Sequence, residues 1–152
     1  MMRVFILTAC FVLVTVQLAA QNYIERISKD DLNIEYKWRK QHLLKKDSPY
    51  VLYLKISNTG IDRCQVGFEL LFYWNATLHS RSGRREYCLK PGQKIHGKTW
   101  DLVFQSNIKT MEEIDDPMFL WEIDSLEIRR NADCETGLKF SLEPKHESAG
   151  AK

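Results

Sequence analysis

Along most of this chain apolar and polar residues alternate in short runs bounded by turn formers, the pattern of half-buried strands rather than helices. It is clearest in "YVLYLKIS" (50–57), where Tyr50, Leu52, Leu54 and Ile56 fall on one side and "NTG" at 58–60 follows as a turn. The next run, "CQVGFELLFYWN" (64–75), puts Cys64, Val66, Phe68, Leu70, Phe72 and Trp74 on one face, with Gln65, Glu69, Tyr73 and Asn75 on the other. The first of these faces predicts nearly continuous core. The same reading predicts strands over "LNIEYKWR" (32–39) and "REYCL" (85–89). After the turn "LKPGQK" it predicts one strand through "KIHGKTWDLVF", aligning Trp100, Leu102 and Phe104. "MFLWEIDSLEIRR" (118–130) alternates until Asp124 and Ser125, where the slip predicts a bulge, and "GLKFSLE" (137–143) closes the set.

One helical signal interrupts this pattern: in "TMEEIDD", Thr110 and Glu113 stand at the spacing of a capping box. About seven short strands between turns predict an all-β fold, an antiparallel two-sheet β-sandwich of immunoglobulin-like type, with a small β-barrel as the alternative.

The beginning of the chain changes the picture of compartment. "MMRVFILTACFVLVTVQLAA" has one cation, Arg3, an apolar run, and small residues at Ala19 and Ala20, the layout of a secretory signal peptide ending near residue 20. Nothing later reads as a membrane span, so an extracellular protein is expected, not an integral membrane one. Losing the first twenty of 152 residues leaves 132, enough for a single β-sandwich domain over 21–143 and a flexible tail at 144–152. The 22 Lys and Arg fall to 21 with Arg3, against 20 Asp and Glu. So balanced a charge gives no field that would draw the chain to nucleic acid.

Cys10 leaves with the leader, and Cys64, Cys88 and Cys134 remain in an oxidising compartment. Strands running alternately up and down bring the turns at 58–63, 90–93 and 131–136, and all three thiols, to one end. Cys64 has the parity of the core and Cys134 sits in the polar loop "NADCETG", which favours a Cys88–Cys134 bridge with Cys64 buried. The alternative is a bridge through Cys64, leaving one exposed thiol for a disulfide-linked dimer. No CxxC or HxxxH spacing suggests a metal.

Asn75-Ala76-Thr77 is an N-glycosylation sequon at an outward position. Arg81, Arg84 and Arg85 in "HSRSGRR" read as a hairpin tip. Lys37, Arg39 and Lys40 in "KWRKQHLLKK" offer a second basic segment, and together the two make a candidate patch for an acidic protein face or a sulfated glycan. The plainer account of both is a solvated loop and an edge strand whose lysines discourage sheet-to-sheet pairing. Tyr53, Tyr73, Trp38 and Trp121 are candidates for exposed stacking rings, while Trp74 and Trp100 are expected in the core. "EEIDD" lacks the alternating ligands of a calcium loop. Four scattered histidines, no GxSxG and no HExxH leave no catalytic constellation, and no cofactor is implied.

The rhythm strand, "SNTG", strand, "WNAT", "LKPGQK", "WDL", over about half the chain, resembles that of bacterial cellulose- and chitin-binding sandwiches. The leader, size and all-β pattern resemble the secreted lipid-recognition sandwiches of the ML group, whose members carry more disulfides than three cysteines permit. Neither resemblance matches a motif residue by residue, so no binding residues are carried over. The functional expectation is a secreted, non-enzymatic extracellular binding module with a protein partner. A carbohydrate-binding module or a lipid carrier are the alternatives.

Overall fold

The computed structural model describes residues 22–134. The expected leader (1–20), the predicted strand at 137–143 and the expected tail (144–152) lie outside the described residues. The strands are β1 (Ile24–Lys29), β2 (Leu32–Lys40), β3 (Tyr50–Asn58), β4 (Cys64–Trp74), β5 (Thr77–Arg81), β6 (Arg85–Leu89), β7 (Lys94–His96), β8 (Val103–Gln105) and β9 (Phe119–Arg130). One helical turn, α1 (Met111–Ile114), precedes β9. All pairings are antiparallel. The first sheet runs β1-β2-β3-β7 with β8 also on β3, and the second runs β5-β4-β6 with β9 on β4. This is the two-sheet sandwich expected from the alternation, and no barrel closes among the described residues.

Each sheet has a central strand flanked by one continuous and one interrupted partner. Opposite β9, β5 pairs with Leu71–Trp74 of β4 and β6 with Cys64–Phe68, so the two lie end to end. Opposite β2, β7 pairs with Lys55–Ser57 of β3 and β8 with Val51–Tyr53. "HSRSGRR" is therefore the interruption of a returning strand and not a hairpin tip. The tip is Asn75-Ala76.

Between the sheets, the inward faces of β2, β3 and β4 fill the core with Leu32, Ile34, Leu52, Leu54, Phe68 and Phe72, all essentially inaccessible. Burying each such side chain stabilises the fold by about 1.5–3 kcal/mol. Trp38 and Trp121, candidate exposed rings, are buried in this core. Trp38 packs edge-on against Phe72 and Phe119, and Trp121 against Tyr36.

The other tryptophans also depart from expectation. In "KIHGKTWDLVF", Gly97 at φ 68° pairs with Leu102, and Lys98–Trp100 is ejected between them as a 3-10 turn closed by Asp101 at φ 56°. Only a residue without a Cβ takes up Gly97's conformation at no cost. Trp100 is therefore half-buried on the margin instead of aligned with Leu102 and Phe104. Trp74 keeps inward parity but stands at the last position of β4, next to the hairpin turn, and is 37% exposed.

Two strands escaped the pattern because they lack it. β1 has a register shift between Glu25 and Ile27, which breaks the period of two, and only Ile27 packs on the core. β5 is mostly exposed. The predicted slip in β9 is real. Ser125 sits at φ 50°, and the pairing with β4 jumps from Glu127 opposite Gly67 to Asp124 opposite Glu69. The capping box also forms: Thr110 Oγ1 accepts from the Glu113 N–H at 3.2 Å, and Glu113 Oε2 accepts from the Thr110 N–H at 3.2 Å.

The β4–β5 hairpin turns on two residues, Asn75 at φ 49° and Ala76 at φ 59°. Two positive φ values are what a tight hairpin's twist demands. Asparagine tolerates them better than alanine. Ala76→Gly is expected to stabilise the protein by about 0.5–1 kcal/mol in urea unfolding while leaving the sequon intact. A loss of stability would show that the turn is not strained.

Candidate binding surfaces

Outward positions of the first sheet gather cations. By register and alternation Lys37 and Arg39 of β2, Lys55 of β3 and Lys94 of β7 share this face, with Glu25 and Glu35 as its carboxylates. Lys55 pairs with Glu35 at 2.6 Å, while Lys37, Arg39 and Lys94 have no ion pair among the described residues. Aromatic rings support the cations. The Lys37 ammonium lies 4.1 Å from the Tyr23 ring centre and that of Lys55 5.0 Å, and the Arg39 guanidinium lies 5.8 Å from Tyr53. Burial, then the charges of Arg39 and Lys55, lower the Lys37 pKa below the usual lysine value. An acidic group docking there would relieve that repulsion.

Lys40, at the end of β2, instead donates to the Lys46 carbonyl at 3.1 Å. The basic residues of "HSRSGRR" belong to the other sheet and do not join this face. Arg81 points outward beside Leu71 of β4. Arg84 lies flat across the outer surface, 3.0 Å from Glu86 and 3.2 Å from Glu127. A Cβ on Gly67 would come within 2.8 Å of its Nη2, so this glycine in an otherwise side-chain-rich strand makes the close approach feasible. Arg85 turns to the margin between the sheets and meets Asp101 at 3.0 Å. Arg84 and Arg85 are thus neutralised by neighbours while Arg81 is not, and the six predicted basic residues do not form a single patch. Lys55, Lys94 and Tyr23 were not identified from the sequence. Outward parity in "YVLYLKIS" was the available signal for Lys55.

Tyr53 and Tyr73, the outward tyrosines, are half-buried. The Tyr73 hydroxyl donates to Glu122 Oε1 at 2.7 Å, and that bond raises its pKa. Beside it the cross-strand neighbours Leu78 and Leu120 are exposed.

Two clefts open at the margin of the sandwich near α1. One, of about 500 Å³, lies among Ile24, Tyr36, Trp38, Ile114 and Trp121. The other, of about 270 Å³, lies among Phe72, Trp74, His79, Ser106 and Phe119. The Ser106 hydroxyl is buried there without a hydrogen-bond partner among the described residues. The acids of "EEIDD" serve local structure: Glu113 caps α1 and Asp116 accepts from the Met118 N–H at 2.8 Å. No cluster of metal-ligating side chains occurs among the described residues.

At the opposite end Cys88 and Cys134 are bridged, with Cα atoms 6.0 Å apart. Cys64 is free, 0% exposed, and burial raises its thiol pKa. It therefore presents no sulfur to a second chain. Beside it Asn58, read from sequence only as a turn residue, is 1% exposed. Its Nδ2 donates to the carbonyls of Asp62 at 2.8 Å, Lys90 at 3.0 Å and, more weakly, Leu89 at 3.4 Å. Its Oδ1 accepts from the Gly60 N–H at 3.1 Å and Arg130 Nη1 at 2.6 Å. One side chain thus ties together the turns after β3 and β6 and the end of β9.

The class these features define is a two-sheet antiparallel β-sandwich closed at one end by a disulfide and an asparagine hub. No helix among the described residues is long and apolar enough to cross a membrane. No protein-family model, curated protein or solved structure matches the chain.

Proposed function

We propose that this protein is a secreted, non-enzymatic binding module that docks an acidic protein surface on the outer face of its first sheet. The observation that carries the reading is the cluster of Lys37, Arg39, Lys55 and Lys94 on that face, of which only Lys55 is ion-paired among the described residues. Solvated strand faces ordinarily intersperse the two signs. An excess of one sign steers an oppositely charged partner and suppresses wrong ones. Two further features favour this face. The sequon lies on the other sheet, so a glycan there leaves the basic face clear. Arg84 and Arg85 beside the second sheet are already engaged by carboxylates, which leaves Arg81 as the one arginine of "HSRSGRR" without an ion pair among the described residues. The lipid-carrier alternative has less support, because core side chains fill the space between the sheets and the clefts lie at its margin.

The test uses the secreted protein as an oligomerised probe on an array of extracellular ectodomains and on a glycan array that includes sulfated chains. Binding to an acidic ectodomain is expected, weakening with salt as screened charges require. The triple change Lys37→Ser, Arg39→Ser and Lys94→Ser is expected to lower affinity by roughly tenfold or more. Arg81→Ser, Arg84→Ser and Arg85→Ser together should leave it unchanged. Binding confined to glycans, binding lost only with the arginines, or a co-purifying lipid would each overturn the proposal.

A further inference from the structure

Asn75 is an exposed residue at the first central position of the β4–β5 turn. Its backbone N–H donates to the Met118 carbonyl at 2.8 Å, which anchors the turn, and its side-chain amide has no hydrogen-bond partner among the described residues. The flanking residues Trp74 and Thr77 are directly paired across the hairpin, so their side chains leave the same face about 5 Å apart. Aromatic ring, acceptor amide and sequon hydroxyl are thereby brought within a few residues' breadth of one another.

The Trp74 ring continues an aromatic cluster out to solvent. Its centroid is 6.4 Å from that of Phe119, which stacks on Phe72 and meets Trp38 edge-on. The cluster is buried at Trp38 and Phe72, but Trp74 remains 37% exposed beside the sequon. The first sugar of an N-linked glycan is an N-acetylhexosamine, with one face of axial C–H groups and an acetyl methyl. Both are apolar surfaces of the kind that pack on an indole ring.

We propose that Asn75 carries an N-linked glycan whose first N-acetylglucosamine packs on the Trp74 ring and completes the aromatic cluster at this end of the sandwich. The proposal rests on the secretory reading of the leader, since the transferase works in that pathway. In the transfer, Asn75 Nδ2 attacks C1 of a lipid-pyrophosphate-linked oligosaccharide. The C1–N bond forms, the C1–O bond breaks, the lipid pyrophosphate leaves with the bonding pair, and the amide proton passes to a base of the transferase. The glycan then has a structural role for its innermost sugar, distinct from any role of its outer branches.

The full-length chain is expressed in a eukaryotic host, and the secreted protein is compared as the intact glycoform, as the form trimmed to one N-acetylglucosamine, and as Asn75→Gln. Each form is also made with Trp74→Ala. The single-sugar form is expected to melt roughly 3–5 °C above Asn75→Gln when Trp74 is present, and within about 1 °C of it when Trp74 is replaced. In the otherwise unaltered protein, the acetyl methyl proton signal of the first sugar should shift upfield under the indole ring current. This second readout does not depend on the Trp74→Ala chain folding. Secreted protein without glycan mass would overturn the occupancy. An equal melting gain in both backgrounds, or an unshifted methyl signal, would overturn the packing. Chain retained in cells with its leader intact would overturn the secretory reading itself.

Discussion

Replacing Asn58 by alanine is expected to lower the unfolding free energy by about 2–4 kcal/mol, large for one polar side chain. The buried amide serves the Asp62, Lys90 and Leu89 carbonyls with its nitrogen, and the Gly60 N–H and Arg130 guanidinium with its oxygen. Removing it leaves several groups unsatisfied together, and each buried orphan costs about 1–3 kcal/mol unless water enters. Arg130 suffers twice, because its Nη2 is already buried without a partner among the described residues. Urea unfolding followed by tryptophan fluorescence should show a lower midpoint with an unchanged slope. Asn58→Asp separates the two halves of the hub: it keeps an acceptor for Arg130 but turns acceptor against acceptor at the three carbonyls, so it too should destabilise. A change below about 1 kcal/mol in both variants would mean that the two turns and the end of β9 are held by their own backbones.

The second large effect is expected on removing the bridge. Cys88 and Cys134 are 46 residues apart in sequence, and the entropy model for closing such a loop gives about 4 kcal/mol. The double change Cys88→Ser and Cys134→Ser should lower the melting temperature by on the order of 10 °C. Reduction of the unaltered protein should do the same. Thiol titration of protein expressed in a eukaryotic host provides the control, with Cys10 left out of the count on the proposed removal of residues 1–20. Cys64 is buried, so the native form should react at no thiol, the denatured form at one, and the denatured and reduced form at three. A reactive thiol in the native protein would contradict both the pairing and the burial. A stability change under about 1 kcal/mol on losing the bridge would show that β4 with its neighbours already restricts the unfolded chain's ends.

Much of the sandwich was legible in the amino-acid order because burial on one face leaves a period of two. β3 and β4 carry this signature along most of their lengths, and their inward residues, apart from the end positions Tyr50 and Trp74, are the core that was read from them. Parity also gave Cys64 a core position, and the structure adds the contrast with Cys88. In β6 the residue opposite Gln65, an outward position, is Cys88, so the bridging thiol and the free one leave opposite sides of the same sheet. Where burial is slight the signature fades, as in β1 and β5, whose side chains are mostly in water.

The candidate site was less legible. Runs of Lys and Arg in sequence suggested one patch, but alternate residues of a strand leave opposite faces, and neighbouring strands may belong to different sheets. Lys37 and Arg39 therefore join Lys55 and Lys94, which are remote in sequence, while Arg84 joins Glu86 and Glu127 across Gly67. The hairpin tip was misplaced for a related reason. Sequence shows Gly83 as a turn former, but the pairing of both β5 and β6 with β4 makes it an interruption within a single return strand.

The sequence by itself determined the alternating strands, the capping box at Thr110, the slip at Ser125 and the core parity of Cys64. Each follows from local geometry or from which face of a strand meets the core. Only the tertiary structure decided which cations share a surface, which arginines are neutralised, why Asn58 is a hub, and that Trp74 emerges beside Asn75. Those depend on strand order and on where each strand ends, which are set by packing between residues far apart in the chain and leave no periodic trace along it.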